Sequence, residues 1–409
     1  MSAVAAPPAA AIAHPRRWPV YEPAALERAS ALLAGGRAFD YDHGQELASF
    51  ERAFADRHRR RHALALTSGT AGLLAAYFAL GIEPGDEVVV SDFTFFSTAT
   101  PLFLLGAVPV LCDAGCANGT VTAREVEACV GPRTAAIAVT HLWGHPCDMD
   151  PIRALAARRG LAVIEDCSHA HGSLYRGRPA GSLGDVAVFS VGGLKLISGG
   201  MGGVLLTDDD DLYARACLLA NFRHRTDLTI PPGAYDDFLA TGLGGNFRMT
   251  PVAAVLAQSH LDALDDLVAR RAANVGALVD GLTALPGIGA VGVDDGCSMG
   301  AWYDGVVEVD ESCRWTRDEL AELLQRAGTK LRAPSTEPLH RYPIFRGAAP
   351  EWSGLAARAV RAAARANCGR AFPRADRLSD RWLRLPVNYL WDAEGSIVEP
   401  YVSAAAELL

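Results

Sequence analysis

The sequence predicts an α/β chain in which a mainly parallel sheet is flanked by helices and followed by a smaller C-terminal α+β domain. Three observations predict it. Strand and helix signals alternate from about residue 60 to residue 210, the rhythm of a parallel sheet covered on both faces. Turn residues punctuate that alternation, as in Ser68-Gly69-Thr70 and Pro84-Gly85-Asp86. The 409 residues, 50% of them hydrophobic and 21% charged, suffice for a large core divided over more than one domain. The expected division is a flexible tail over residues 1–17, a large domain over 18–270 and a small domain over 271–409.

The elements follow in order. Ala63 to Leu66 is a short apolar run that predicts a strand, and Ala71 to Leu80 a helix. Glu87 to Val90 is a β-branched strand. Thr98 to Leu105 reads as a helix and Ala107 to Cys112 as a strand. Thr122 stands as the N-cap of a helix through Cys129, with Glu125 completing a capping box. Thr134 to Val139, Leu161 to Ile164, Val186 to Phe189 and Gly203 to Leu206 are further strands. Asp150 to Arg159 and Asp208 to Ala220 are helices between or after them. Pro251 to Leu282 predicts one long helix or a bent pair. The C-terminal part shows a strand near Asp304 to Val309, a helix over Arg317 to Arg326 and a closing helix near Ile397 to Leu408.

Composition narrows the function classes. The formal net charge is −9, and no long basic run supports general nucleic-acid binding. No apolar run reaches the ~18 residues that span a bilayer. The Ala/Pro-rich start, Met1 to Pro15, lacks the basic and apolar regions of a secretory signal. Nine scattered cysteines without framework spacing point to reduced thiols in the cytoplasm. Lysine occurs twice among 38 basic residues, at Lys195 and Lys330. A lysine kept against that bias offers an amine nucleophile that arginine cannot replace.

In parallel sheets, ligands bind in loops at the carboxyl ends of strands. Three such loops carry chemistry. Thr67-Ser68-Gly69-Thr70 joins a strand to a helix start, where hydroxyls and free amides suit a phosphate. A plain helix cap explains Ser68 or Thr70 about as well. Asp166, in Glu165-Asp166-Cys167-Ser168-His169-Ala170-His171, places a carboxylate directly after a strand. Ser190-Val191-Gly192-Gly193-Leu194-Lys195 brings a lysine into the most glycine-rich stretch of the chain, with apolar Leu194, Leu196 and Ile197 around it. Burial disfavours the charged amine and frees it to attack an aldehyde. A phosphate cradle, a carboxylate and an amine are the groups that pyridoxal 5'-phosphate (PLP) needs. His141, His145 and Cys147, with Cys167, His169 and His171, match no common zinc spacing, so no metal is expected. Trp143 and His145 are expected to line the substrate or cofactor pocket. Arg223 and Arg225 are expected to meet a donor carboxylate or substrate phosphate, with a charged helix end as the equal alternative.

The segments TSGTAGLLAAYFALGIEPGDEVVV, GHPCDMD, VIEDCSHAHGS, GDVAVFS and GGVLLTDD resemble, in order and spacing, the DegT/DnrJ/EryC1/StrS family of PLP-dependent aminotransferases of keto sugars and aminocyclitol precursors. The resemblance runs from about Trp18 to the C-terminus. It implies a fold type I PLP-enzyme architecture and a homodimer with shared active sites. It implies that Lys195 carries the cofactor, and that Ser190, Gly69 and Thr70, beside Ser68, hold its phosphate. It further implies that Asp166 faces the ring nitrogen with His169 beside it, and that Phe95 stacks on the ring. Asn246 would reach the phosphate in the neighbouring subunit, and Arg341 and Tyr342 would contact substrate. Lys195, Asp166 and His169 are thus the candidate catalytic residues. The implied reaction moves an amino group from L-glutamine or L-glutamate to a cyclic ketone, in secondary metabolism. Two departures stand in the active-site loop: Val191-Gly192 follow the serine, and Met201 replaces a glutamate. They keep open the alternative of PLP-dependent dehydration or deoxygenation of a sugar or nucleoside; a further alternative, a non-catalytic PLP-binding regulator on the same fold, finds no DNA-binding segment at either terminus.

Overall fold

The computed structural model describes residues 12–39, 43–348, 351, 354–392 and 395–409. The tail expected over residues 1–17 falls on residues 1–11 outside the described ones. From His14 onward the chain is tied down, since His14 Nε2 and the Tyr401 hydroxyl share a 2.8 Å hydrogen bond.

Thirteen strands are formed among the described residues. The first seven are β1 (His62–Leu66), β2 (Glu87–Ser91), β3 (Val108–Cys112), β4 (Thr134–Thr140), β5 (Ala162–Asp166), β6 (Leu174–Tyr175) and β7 (Arg178–Pro179). The rest are β8 (Val186–Ser190), β9 (Gly203–Thr207), β10 (Ile288–Ala290), β11 (Cys297–Ser298), β12 (Val306–Val309) and β13 (Trp382–Arg384). The central sheet has the order β1-β9-β8-β5-β4-β2-β3. Strands β2, β3, β4, β5 and β8 pair in parallel, and β9 runs antiparallel to both its neighbours. Every residue of β2 and β3 is buried, which is why these strands read as continuous apolar runs rather than alternations.

The reversal at β9 has a local cause. The glycine-rich segment after Ser190 forms no helix but folds back on itself, with the Val191 amide on the Gly202 carbonyl at 3.0 Å and the Gly193 amide on the Gly200 carbonyl at 2.8 Å, so β9 returns antiparallel beside β8. That loop carries Lys195, so the reversal holds the lysine at the carboxyl ends of the parallel strands. Against this edge packs the Gly69–Ala79 helix, whose small residues permit a close approach. A Cβ at Gly72 would lie 2.8 Å from Val188 Cγ1.

The C-terminal part has its own three-stranded sheet, β10-β12-β13. Its core includes Val275, Leu278, Val307, Leu324, Leu383 and Tyr401. The Arg317–Arg326 helix appears as expected, with a capping box between Thr316 and Glu319. The segment 251–282 is the bent pair, Pro251–Asp262 and Leu264–Thr283. Three expectations need correction. The Thr122 helix is one short turn, Ala123–Glu127, and the Thr122 hydroxyl donates to the Glu125 carboxylate rather than capping an amide. The helix over 98–105 divides into a 3-10 turn, Phe96–Thr98, and the Thr100–Leu105 helix, with Pro101 in its first turn. Asp304 precedes its strand and forms a buried ion pair with Arg384.

One buried carboxylate anchors the sheet beneath the site. Glu165 accepts amides from Gly181 (3.0 Å), Leu183 (2.7 Å) and Gly184 (2.6 Å), and meets His141 Nε2 at 2.9 Å. Burial by itself raises its pKa. The hydrogen bond and charge of His141 and the amides of Gly184 and Gly181 outweigh burial and hold it at about 2, below 4.5. Its contribution is therefore full above pH 4.5 and fades as pH falls towards 2. Glu165→Ala leaves three amides without acceptors and is expected to cost about 3–5 kcal/mol. Urea unfolding at pH 7 checks the loss, and a smaller difference between variant and wild type at pH 3 checks the sign.

Candidate active site

Loops from five strands converge on one cavity of about 290 Å³. Ser68, Gly69 and Thr70 follow β1. Thr94, Phe95 and Ser97 follow β2, and Thr140 ends β4. Asp166, Ser168 and His169 come from β5, and Ser190 and Lys195 from β8. Tyr303, Ser335 and Thr336 close it from the C-terminal part.

At one end the Gly69–Ala79 helix points its N-terminus into the cavity. Ser68 is its N-cap and accepts the Ala71 amide at 3.0 Å. The amides of Gly69 and Thr70 donate to no protein acceptor among the described residues, as the first amides of a helix must. Glycine is required around this loop. A Cβ at Gly203 would lie 2.4 Å from the carbonyl carbon and oxygen of Ser68 and 2.5 Å from the Gly69 nitrogen. Backbone cannot yield there as a flexible side chain could. Gly203→Ala is expected to cost about 1–3 kcal/mol and to weaken phosphate binding at the helix start. Thermal unfolding and equilibrium dialysis with PLP check both.

Asp166 is buried and held rigidly. Its Oδ1 accepts the Ser168 amide at 3.0 Å and its Oδ2 the Thr98 hydroxyl at 2.6 Å. Thr94 Oγ1 lies 2.9 Å from Thr98 Oγ1 and 2.8 Å from Thr140 Oγ1, extending the chain of hydroxyls behind the carboxylate.

Lys195 faces this group. Its Nζ sits 3.6 Å from the centroid of the Tyr303 ring. Tyr303 stacks on His169, centroid to centroid 4.1 Å and 6° from parallel. The Lys195 carbonyl accepts the Trp18 indole N–H at 2.8 Å, which fixes the loop from outside. Burial lowers the lysine pKa from 10.5 to about 7. Asp166 and Asp304 oppose the shift and Arg384 adds to it. A large share of the amine is then neutral near pH 7.5. In the cofactor-free chain, acetylation of Lys195 by acetic anhydride is expected to rise with pH to a midpoint near 7, read by peptide mass spectrometry. A midpoint above about pH 9 contradicts a desolvated amine. His169 is driven well below its ordinary value, first by burial and then by Lys195, Arg384 and His171. It is neutral, and its Nδ1 accepts the Trp143 amide at 3.3 Å.

The donor set fits PLP: two free amides and nearby hydroxyls for a phosphate, a carboxylate for a ring nitrogen, and a neutral amine for an aldehyde. Phe95 stands at the rim, 45% exposed. The backbone around Ser190 is close enough that a Cβ at Gly69 would lie 3.0 Å from Ser190 Cβ.

Other expected site residues do not line this cavity, and each has a structural reason. Trp143 is buried in aromatic packing, 4.8 Å from Trp382 and 5.7 Å from Phe93. His145 is buried beside Trp302, and burial lowers its pKa to about 4. Arg225 is buried against Glu51 at 3.0 Å. Arg223 is exposed at a helix start. Arg341 is engaged by Asp376 at 2.6 Å and Asp380 at 2.9 Å. The Tyr342 hydroxyl accepts the Glu337 amide at 3.4 Å. Asn246 accepts from Arg248 Nε at 2.9 Å on the outside of the fold. His141, Glu165 and Cys167 come within mutual reach. There the imidazole is committed to Glu165 and the Cys147 amide, and burial holds the Cys167 thiol protonated.

The sequence did not point to Tyr303, Thr98 or the Asp304–Arg384 pair. An acidic residue just before the β-branched run of β12 was the only trace of the last.

The chain matches the DegT/DnrJ/EryC1/StrS aminotransferase family over residues 24–389. GDP-perosamine synthase of Caulobacter vibrioides is 36% identical over 308 residues, covering 74% of this chain and 79% of that protein. A protein of Streptoalloteichus tenebrarius, provisionally named L-glutamine:3-amino-2,3-dideoxy-scyllo-inosose aminotransferase, is 33% identical over 308 residues, or 74% and 73% of the two chains. Among solved structures, an aminotransferase from Psychrobacter cryohalolentis superposes with a TM-score of 0.82 at 27% identity, covering 96% of this chain and 98% of that one.

Proposed function

The chain belongs to the DegT/DnrJ/EryC1/StrS aminotransferase family, and from that premise we propose that it moves an amino group from L-glutamine or L-glutamate to a keto sugar or keto-cyclitol. The cofactor is PLP, and the setting is secondary metabolism of the aminoglycoside kind. The observation that carries the reading is Lys195 Nζ, desolvated over Tyr303 in the same cavity as Asp166. The names of the relatives, one a synthase of an amino sugar nucleotide and one an aminocyclitol aminotransferase, support the substrate class.

Gly69, Thr70 and Ser190 would hold the phosphate, Asp166 the ring nitrogen, and Lys195 the aldehyde carbon. When bound, PLP supplies a carbonyl that accepts the amino group and a ring that stabilises negative charge on the carbon losing its proton. Lys195, once released, takes a proton from the donor α-carbon and returns one at the carbon that becomes the amine. Its lowered pKa suits both directions near neutral pH. Asp166, immobilised by Thr98 and Ser168, keeps a proton on the atom it faces. Tyr303 supports the lysine from below, and neutral His169 fills the space between Tyr303 and the Trp143 backbone. Asn246 is proposed to act across a dimer interface, which agrees with its place outside this chain's own cavity.

The test is visible absorbance of the PLP-loaded protein before and after L-glutamine or L-glutamate. Bleaching with release of a 2-oxo acid supports transamination. A coloured protein indifferent to amino donors contradicts it.

A further inference from the structure

A second cavity, of about 400 Å³, lies in the C-terminal part and shares no lining residue with the first. Arg17, Lys330, Arg332 and Arg384 line it, together with Asn388 and Tyr389, and no carboxylate does. Arg17, Lys330 and Arg332 reach no acidic side chain among the described residues. Their placement is built. The Lys330 amide donates to the Tyr401 hydroxyl at 2.8 Å. The backbones of Arg332 and Arg384 pair with each other, N to O at 3.3 and 2.7 Å. Arg384 is buried, and its guanidinium turns to Asp304.

Arg17, Lys330 and Arg332 are exposed and bring three positive charges to one hollow, with the buried Arg384–Asp304 pair at its side, so the hollow carries a net positive field that suits an anion. Partial burial and the charges of Arg384 and Arg17 lower the Arg332 pKa, and Asp304 opposes them. A bound anion would meet complementary charge from all three exposed cations. Arg384 also belongs to both neighbourhoods: it lines this cavity, it pairs with Asp304 next to Tyr303, and both charges act on Lys195.

We propose that this cavity is a second anion site, separate from the catalytic pocket, that takes a small ligand carrying two or more negative charges as phosphate or carboxylates, and that Arg384 and Asp304 relay its occupancy to Lys195. Binding at the cavity stands without the proposed reaction; only the relay rests on the role given to Lys195.

The test is isothermal titration of the PLP-loaded protein, whose phosphate cradle is filled, with inorganic phosphate and with succinate. Wild type is compared with the Lys330→Met/Arg332→Met pair. Both positions are exposed, and thermal unfolding confirms that the variant folds. The expected result is one saturable site for at least one of the two anions, with the tighter one naming the source. Affinity falls about tenfold or more in the paired variant. No binding of either anion at millimolar concentration overturns the proposal, as does equal binding to both proteins. The relay has its own readout, the pH midpoint of the Lys195-dependent absorbance. An anion offsets the positive charge of Arg384, so the midpoint moves upward in wild type and stays in the variant. Binding without that movement overturns the relay. Absence of any Lys195-dependent colour counts against the cofactor reading, while phosphate or succinate heats that need Lys330 and Arg332 still establish the site.

Discussion

Lys195→Ala is expected to abolish the visible absorbance of the PLP-loaded protein and to lower turnover by at least the ~10²–10⁴-fold that a positioned proton carrier contributes. The larger part of the loss is tethering, since alanine offers no nucleophile. Lys195→Arg separates the two explanations of such a loss. Arginine keeps a cation over Tyr303 but is charged at all working pH and cannot attack an aldehyde. It should therefore preserve folding and remain colourless. Folding of the alanine variant is expected to hold or improve, because the wild-type amine is desolvated at a cost: its pKa falls to about 7. Colour and turnover retained in Lys195→Ala would remove this lysine, and the mechanism built on it, from consideration.

Asp166→Asn is expected to lower turnover by about 10²–10³-fold, the size of effect seen when one preorganised electrostatic partner is removed. The amide oxygen still accepts from Ser168 or Thr98, so the fold and the shape of the cavity are kept. What is lost is the negative charge proposed to hold a proton on the cofactor's ring nitrogen. PLP is expected to bind and to show colour with an altered absorption maximum, while release of 2-oxo acid slows. A variant with wild-type turnover would assign Asp166 a purely structural place behind the Thr98 and Thr94 hydroxyls. Thr98→Val is the accompanying control. It removes one hydrogen bond to Asp166 and should cost far less than the charge does.

Much of the site was legible in the amino-acid order, for local reasons. Ser68, Gly69 and Thr70 stand between an apolar strand and a helix of small residues. That order makes a helix start with free amides wherever the chain goes next. Asp166 closes the short apolar run that forms β5, so its place at a strand end could be read from the sequence, though the strand runs on through Glu165 and Asp166 rather than stopping at Ile164. Lys195 was visible through its rarity and its glycine-rich surroundings. The expected residues that do not line this chain's cavity are those whose side chains had to be aimed over distance. Arg225 and Arg341 are basic residues near the relevant loops, yet Glu51 and the pair Asp376 and Asp380 claim them. Trp143 lies in the short turn after β4, and packing against Phe93 and Trp382 draws it inward. Nothing in a linear sequence says which acid will meet which base.

What the sequence by itself determined is the alternation of strand and helix, the loops at the strand ends, and the amine, carboxylate and amide set those loops carry. Periodicity, turn chemistry and helix capping act over a few residues, so they can be read in order along the chain. The tertiary structure alone decided that Tyr303, far along the chain from Lys195, lies beneath its amine. It alone decided that Arg384 pairs with Asp304, and that Arg17, Lys330 and Arg332 gather around the second cavity. These are contacts between segments with no local preference for one another. They form because the C-terminal part folds back over the strand ends, and the packing of the two cores sets which side chains meet.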